Sequence, residues 1–154
     1  MKKITPFLWF NGNIEEALNL YTSIFKNSKV INERRTGDPK TGKIFTATFQ
    51  LEDQEFMALD GGPHYKFNPA VSFFVNVKTQ EEVDYFWSKL IANGGAESRC
   101  GWLVDKFGLS WQIIPETLSN YLNDPDPVKS QRVMNAMLLM NKIDVKKLDE
   151  AYAG

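Results

Sequence analysis

Few side chains in this 154-residue chain could carry chemistry, and their spacing limits what that chemistry could be. There is one cysteine, Cys100, and one histidine, His64. A single cysteine closes no internal disulfide, and one histidine without a cysteine pair cannot build a zinc-finger-type site. Cys100 needs a neighbouring base or cation to become a nucleophile. Beside Gly101 and Trp102 at a strand edge it reads as packed instead. Asp105 could be a general base at the mouth of a hairpin, but Asp105-Lys106-Phe107-Gly108 reads more readily as turn chemistry. Asp60, before Gly61-Gly62, could bind a cationic or hydroxylated ligand, or simply start a loop. His64 lies in that loop and reads as solvated. No Ser-His-Asp set can form away from His64, and no glycine-rich phosphate loop is present. Whether the chain catalyses a reaction is left open.

Composition narrows the class. Apolar residues make up 43% and aromatics 13%, enough for a core, and the net charge is -1. No basic patch stands out, so nucleic acid is not an expected partner. No stretch approaches the roughly 18 apolar residues of a membrane span, and no signal-peptide run follows Met1-Lys2-Lys3. The expectation is a cytoplasmic protein that binds neither membrane nor nucleic acid.

The elements that would position such groups form a repeat. Ile4–Phe10 reads as a strand, Asn13 as an N-cap with Glu15 and Glu16 in the first turn, and a helix follows to about Phe25. Lys29–Arg35 reads as a strand, Thr36–Lys43 as a loop, and Ile44–Leu51 with Gln54–Asp60 as a hairpin. Adding 66 maps Asn13 onto Thr79, Glu15-Glu16 onto Glu81-Glu82, and Ala17, Leu20, Tyr21, Ile24 and Phe25 onto Val83, Phe86, Trp87, Leu90 and Ile91. The same offset maps Pro6-Phe7-Leu8 onto Ser72-Phe73-Phe74. Ala96–Arg99 and the hairpin Cys100–Pro115 complete the second copy. Aligning the hairpins lowers the offset to about 55, setting Phe56 against Trp111 and Met57 against Gln112.

Each copy is therefore β-α-β-β-β. The expected fold is α+β: two paired βαβββ modules forming a curved mixed sheet, with C-terminal helices. One domain is expected over 1–154, with module one at about 1–62, module two at about 69–115 and a helical extension at 116–154. Asp126 and Asp144 should cap the last two helices, with Pro127 at a first helical position. The stripe Val133, Ala136, Met137, Met140 should pack on the sheet body or on a second subunit.

Strand side chains alternate between faces. Phe7 and Trp9 are bulky enough to meet the helices, which leaves Pro6, Leu8 and Phe10 for the concave face. That face would also hold Ser72, Phe74 and Asn76, with Met57, Leu59, Gln112 and Ile114 from the hairpins and Thr46, Thr48 and Gln50. The expected small-molecule site is Leu8, Phe10, Thr48, Met57, Ser72, Phe74, Asn76 and Gln112: apolar, with a few hydroxyl and amide groups. The loop Gly61–Phe67 is a candidate lid.

The stretches PFLWFNGNIEEALNLYTSIF (Pro6–Phe25), PAVSFFVNVKTQEEVDYFWSKL (Pro69–Leu90), CGWLVDKFGLSWQIIP (Cys100–Pro115) and VMNAMLLMNKID (Val133–Asp144) carry a resemblance. The chain resembles the vicinal oxygen chelate superfamily of glyoxalase I, bleomycin-resistance proteins and extradiol dioxygenases. Within it, the chain looks like the PhnB-like group labelled "3-demethylubiquinone-9 3-methyltransferase domain". The resemblance implies a homodimer and a small-molecule ligand. In metal-using members it implies a divalent ion held by His, Glu or Gln from the first and last strands of each module. Those positions here are Pro6, Met57, Ser72 and Gln112, of which only Gln112 is a plausible ligand. The expectation is therefore no catalytic metal and no cofactor. The alternative is a metal-dependent lyase, isomerase or dioxygenase. Methyl transfer is not expected, because no glycine-rich strand-to-helix turn for its cofactor is present.

Overall fold

The computed structural model describes residues 2–154, which divide into two compact units between Phe67 and Asn68. The first unit holds β1 (Phe7–Phe10), α1 (Ile14–Ile24), β2 (Lys29–Arg35), β3 (Ile44–Leu51) and β4 (Gln54–Asp60). Its four strands run in the order β1-β4-β3-β2, with β1 parallel to β4 and the rest antiparallel. The second unit repeats the plan with β5 (Ser72–Val77), α2 (Gln80–Ile91), β6 (Ala96–Glu97), β7 (Trp102–Val104) and β8 (Ser110–Pro115), in the order β5-β8-β7-β6. Three helices follow: α3 (Glu116–Leu122), α4 (Pro127–Met137) and α5 (Val145–Ala153). The α+β class and the β-α-β-β-β repeat are as the sequence predicts, realised as two four-stranded mixed sheets.

The helices form where the caps and apolar spacing require. Ala17, Leu18, Tyr21 and Ile24 are buried on α1, and Val83, Trp87 and Leu90 on α2. Tyr21 stacks on Phe49, and Phe49 on Phe56, so α1 covers the β3–β4 face that carries these rings. Thr79 caps α2 by accepting the Glu82 N–H. Asn13 stands at the N-cap of α1 but its side chain caps nothing.

The C-terminal helices build their own small core. Asp126 accepts the Val128 and Lys129 N–H groups, and Asp144 accepts the Lys147 N–H. Val133 and Met140 pack with Ile114, Leu118, Ile143 and Leu148. The Cys100 and Gly101 N–H groups donate to the Met140 and Asn141 carbonyls. Lys142 donates to Asp84, which holds that carboxyl below its ordinary range. The predicted stripe thus packs within its own unit, against the end of β8.

The two copies differ in one respect that decides the site. Three residues, Asn11-Gly12-Asn13, link β1 to α1, whereas two, Lys78-Thr79, link β5 to α2. Gly12 takes a φ of 76°, a left-handed conformation that suits the longer link. The offset of 66 holds for the helices. In the strands the pairing shows a different one. Phe7 lies opposite Met57 and Phe74 opposite Gln112, so Phe7 matches Phe74 at an offset of 67 residues. Met57 and Gln112 correspond, as the hairpin alignment predicts. A one-residue slip moves every side chain of a strand to the other face.

Candidate functional site

The slip corrects the expected face of β1. Leu8 pairs with Ala58 and Ala58 with Ala47; all three are buried, on the face that carries Phe49 and Phe56 toward α1. Leu8 and Phe10, 6% and 2% exposed, are core residues and not cavity residues. Phe10 also meets the Phe67 ring edge-on. The residues predicted to meet the helix, Phe7 and Trp9, stand on the other face with Met57, Leu59, Thr46 and Thr48. Pro6 loses its place as the counterpart of Ser72, which falls to Thr5.

That open face of the first sheet is apolar and aromatic. Phe7 is 51% exposed, too much for a core position of its size. Thr48 lies beside Met57 and is buried. At the far end Trp9 donates its Nε1–H to the Gly62 carbonyl at 2.9 Å and meets the Tyr65 ring edge-on. A Cβ at Gly61 would lie 2.2 Å from the Trp9 ring, so only glycine lets the loop fold onto the indole. The loop after β4 thus covers the Trp9 end of this face. Asp60 is occupied structurally: its Oδ1 accepts the Gly12 N–H at 2.7 Å and braces the link into α1. His64, in the loop, is exposed.

In the second unit alternation brings Ser72, Phe74 and Asn76 onto one face of β5. The pairing adds Gln112 from β8 and Trp102 from β7. Gln112 donates its Nε2–H to Ser72 Oγ at 2.9 Å. That leaves the amide carbonyl as an acceptor and the serine hydroxyl hydrogen as a donor. Phe74 is 54% exposed beside them. Asn76 donates to Glu116 Oε1 at 3.2 Å, tying the end of β5 to α3. Ile114, next on this face, is covered by the C-terminal helices. The sequence reading places Ser72, Phe74, Asn76 and Gln112 together, and they are together. It places Met57 and Thr48 on one face, and they are. It places Phe7 and Trp9 toward the helix, and they stand on the open face instead, a reversal whose signal is the link length after β1.

The remaining chemical candidates resolve into structure. Asp105 is 2% exposed, and its Oδ1 accepts the Phe107 and Leu109 N–H groups while Oδ2 accepts the Trp111 indole N–H. A carboxylate so engaged organises the β7–β8 turn. Cys100 is half-buried with φ 58°, paired with Gly101 at φ 83° in the turn whose Trp102 N–H donates to the Arg99 carbonyl.

The metal-ligand positions implied by the resemblance do not fit a divalent ion. Met57 offers a thioether, Ser72 and Thr5 offer neutral hydroxyls, and Gln112 offers one amide oxygen, a set with no anionic or imidazole donor. Among the described residues no group of three or more His, Cys, Asp or Glu side chains could hold a metal. No helix among them is long and apolar enough to cross a membrane.

A family model described as 3-demethylubiquinone-9 3-methyltransferase matches residues 2–114. The stretch Val133–Asp144 lies beyond that match. No curated protein matches the sequence. Among solved structures, a PhnB protein from Bacillus cereus is 40% identical, with 74% of this chain and 99% of that one covered and a TM-score of 0.67. Two more distant structures share the fold. A glyoxalase-related enzyme from Fulvimarina pelagi is 15% identical, with coverage of 75% and 88% and a TM-score of 0.51. A fosfomycin resistance protein from Listeria monocytogenes, complexed with Mn(II) and sulfate, is 14% identical, with coverage of 72% and 89% and a TM-score of 0.50.

Proposed function

The chain belongs to the PhnB-like, 3-demethylubiquinone-9 3-methyltransferase family of the vicinal oxygen chelate superfamily, and from that premise we propose that it binds a small, flat, largely apolar molecule without a catalytic metal. The observation that carries the reading is the exposure of Phe7 and Phe74 at matching positions of the two open faces, beside Met57 and the Gln112–Ser72 pair. An exposed aromatic on the first strand of each sheet, repeated in both copies, supplies ring stacking, and the neutral amide and hydroxyl orient a polar substituent. Asn76, held by Glu116, sits at the edge of the second face.

Two features support leaving metal chemistry and methyl transfer aside. The donor set at the superfamily's ligand positions is neutral and weak. Both sheets are mixed four-stranded sheets with the order β1-β4-β3-β2 or its equivalent, and neither presents the strand-to-helix nucleotide turn of a doubly wound sheet. The loop Gly61–Phe67, already seated on Trp9, serves in this reading as a cover for the first face. The protein acts as a homodimer in the cytoplasm.

Fluorescence titration with naphthylmethanol tests the site. The double variant Phe74→Ala, Gln112→Ala should bind it about tenfold more weakly than the parent, the loss expected of one aromatic contact plus one hydrogen bond. Equal affinity would mean that the open face of the second unit does not bind it.

A further inference from the structure

Three buried side-chain oxygens meet no hydrogen-bond partner among the described residues: Asn13 Oδ1, Glu55 Oε1 and Ser110 Oγ. The last two are related. At the hairpin offset that matches Met57 to Gln112, Glu55 matches Ser110. Each lies two residues before its partner on the last strand of its sheet, so alternation puts Glu55 on the Met57 face and Ser110 on the Gln112 face. A polar atom sealed without a partner costs free energy, and natural proteins rarely keep one without a reason. Keeping one at the same place in both copies, on the faces already assigned to ligand, points to a shared use.

Glu55 is the more telling of the pair because it is an acid. Its strand neighbour is Gln50, whose amide is turned to the Glu52 carbonyl. The nearest cation by register is Lys29, exposed on the edge strand opposite Gln50. Neither Lys29 nor Lys2, whose Nζ donates to the Asp53 carbonyl, meets the Glu55 Oε1 atom. Met57, two residues along, is apolar. Thr5, which the β1 register sets beside Glu55 on its other side, turns its hydroxyl to the Lys2 carbonyl. Glu55 is thus half-buried, with one carboxylate oxygen, Oε1, that no protein donor meets.

We propose that Glu55 is a ligand-contacting residue, and that the molecule bound on the first open face presents a hydrogen-bond donor to it, an ammonium or a hydroxyl group. This deepens the ligand-binding reading above and rests on it. It assigns the ligand class: an aromatic or apolar body carrying an amine or alcohol, and not an anion, since a carboxylate or phosphonate would face Glu55 with like charge. Ser110, 1% exposed, supplies the matching neutral group on the second face.

The test uses the full chain and four compounds with one ring system: naphthylmethylamine, naphthylmethanol, methylnaphthalene and naphthoate. The parent should bind the amine about tenfold more tightly than methylnaphthalene, with naphthoate weakest, and Glu55→Gln should erase that preference while leaving methylnaphthalene unchanged. If the parent binds methylnaphthalene but shows no preference for the amine, or if the preference survives Glu55→Gln, the Glu55 assignment falls while the binding reading stands. If the parent binds none of the four, the binding reading falls and takes this one with it. Thermal melting of ligand-free Glu55→Met gives a readout that needs no ligand. A carboxylate kept for a ligand predicts a melting temperature no lower than the parent's. A lower one would mean that Glu55 has a structural partner, and would overturn the proposal.

Discussion

Truncating neighbours on β1 should separate the two faces of the first sheet. Leu8 is 6% exposed among Ala47, Ala58 and the rings under α1, whereas Phe7, one residue earlier, is 51% exposed on the opposite face. Leu8→Ala removes a core side chain and leaves a cavity, a loss of about 3 kcal/mol. Phe7→Ala removes a larger side chain that folding only half buries, so its cost is about 1 kcal/mol. For a urea dependence of about 2 kcal/mol per molar, the midpoint should fall by about 1.5 M for Leu8→Ala and about 0.5 M for Phe7→Ala. Naphthylmethanol binding should show the reverse order: weakened by Phe7→Ala, preserved in Leu8→Ala at urea-free conditions. Urea titration followed by tryptophan fluorescence, with the binding assay in parallel, measures both. Equal midpoints, or the larger loss for Phe7→Ala, would refute the register argument and return Leu8 to the open face.

Three further outcomes follow from the same geometry. Asp105→Ala removes an acceptor from three donors, two backbone N–H groups and the Trp111 indole, and should cost about 3 to 5 kcal/mol by denaturant titration, whereas Asp105→Asn should recover part of that loss. Gly61→Ala should lower the melting temperature and shift the emission of Trp9, because the new methyl group collides with the indole. At the C-terminus, donation to Asp149 and to Asp124 raises the pKa of Tyr121 and of Tyr152, and Asp124 is lowered by the Tyr152 bond. A raised tyrosine favours the folded state fully below the ordinary tyrosine range and loses that contribution as pH rises through the folded value. The lowered Asp124 contributes above the ordinary carboxylate range and loses its part as pH falls. Packing of α5 should therefore loosen at both extremes, and Tyr152→Phe should flatten both limbs of a pH series of melting curves.

The fold was legible because the caps, the first-turn acids and the apolar stripe of each helix recur at one spacing, and each is a local signal. The strand faces were less so. Their side-chain period is two, and a repeat offset read from the helices carries no information about the link that precedes them. Asn11-Gly12-Asn13 is one residue longer than Lys78-Thr79, and that single residue exchanged Leu8 and Phe10 for Phe7 and Trp9 on the open face. The hairpin offset, taken from the turns themselves, was correct, and it also aligned Glu55 with Ser110. Nothing in the sequence marks Glu55, since a glutamate two residues after a turn reads as solvated. Its sealed oxygen is visible only once the strand is paired. Asp105 shows the converse: its turn chemistry was readable from the residues around it, and the Trp111 bond completed it.

Native mass spectrometry on protein purified without chelators or metal-affinity steps bears most directly on metal-free binding of a small molecule. It reports subunit number and bound mass together. The expected result is a dimer carrying an organic adduct and no metal ion, with the adduct lost in Phe74→Ala, Gln112→Ala. One divalent ion per chain, released by Gln112→Ala, would contradict it.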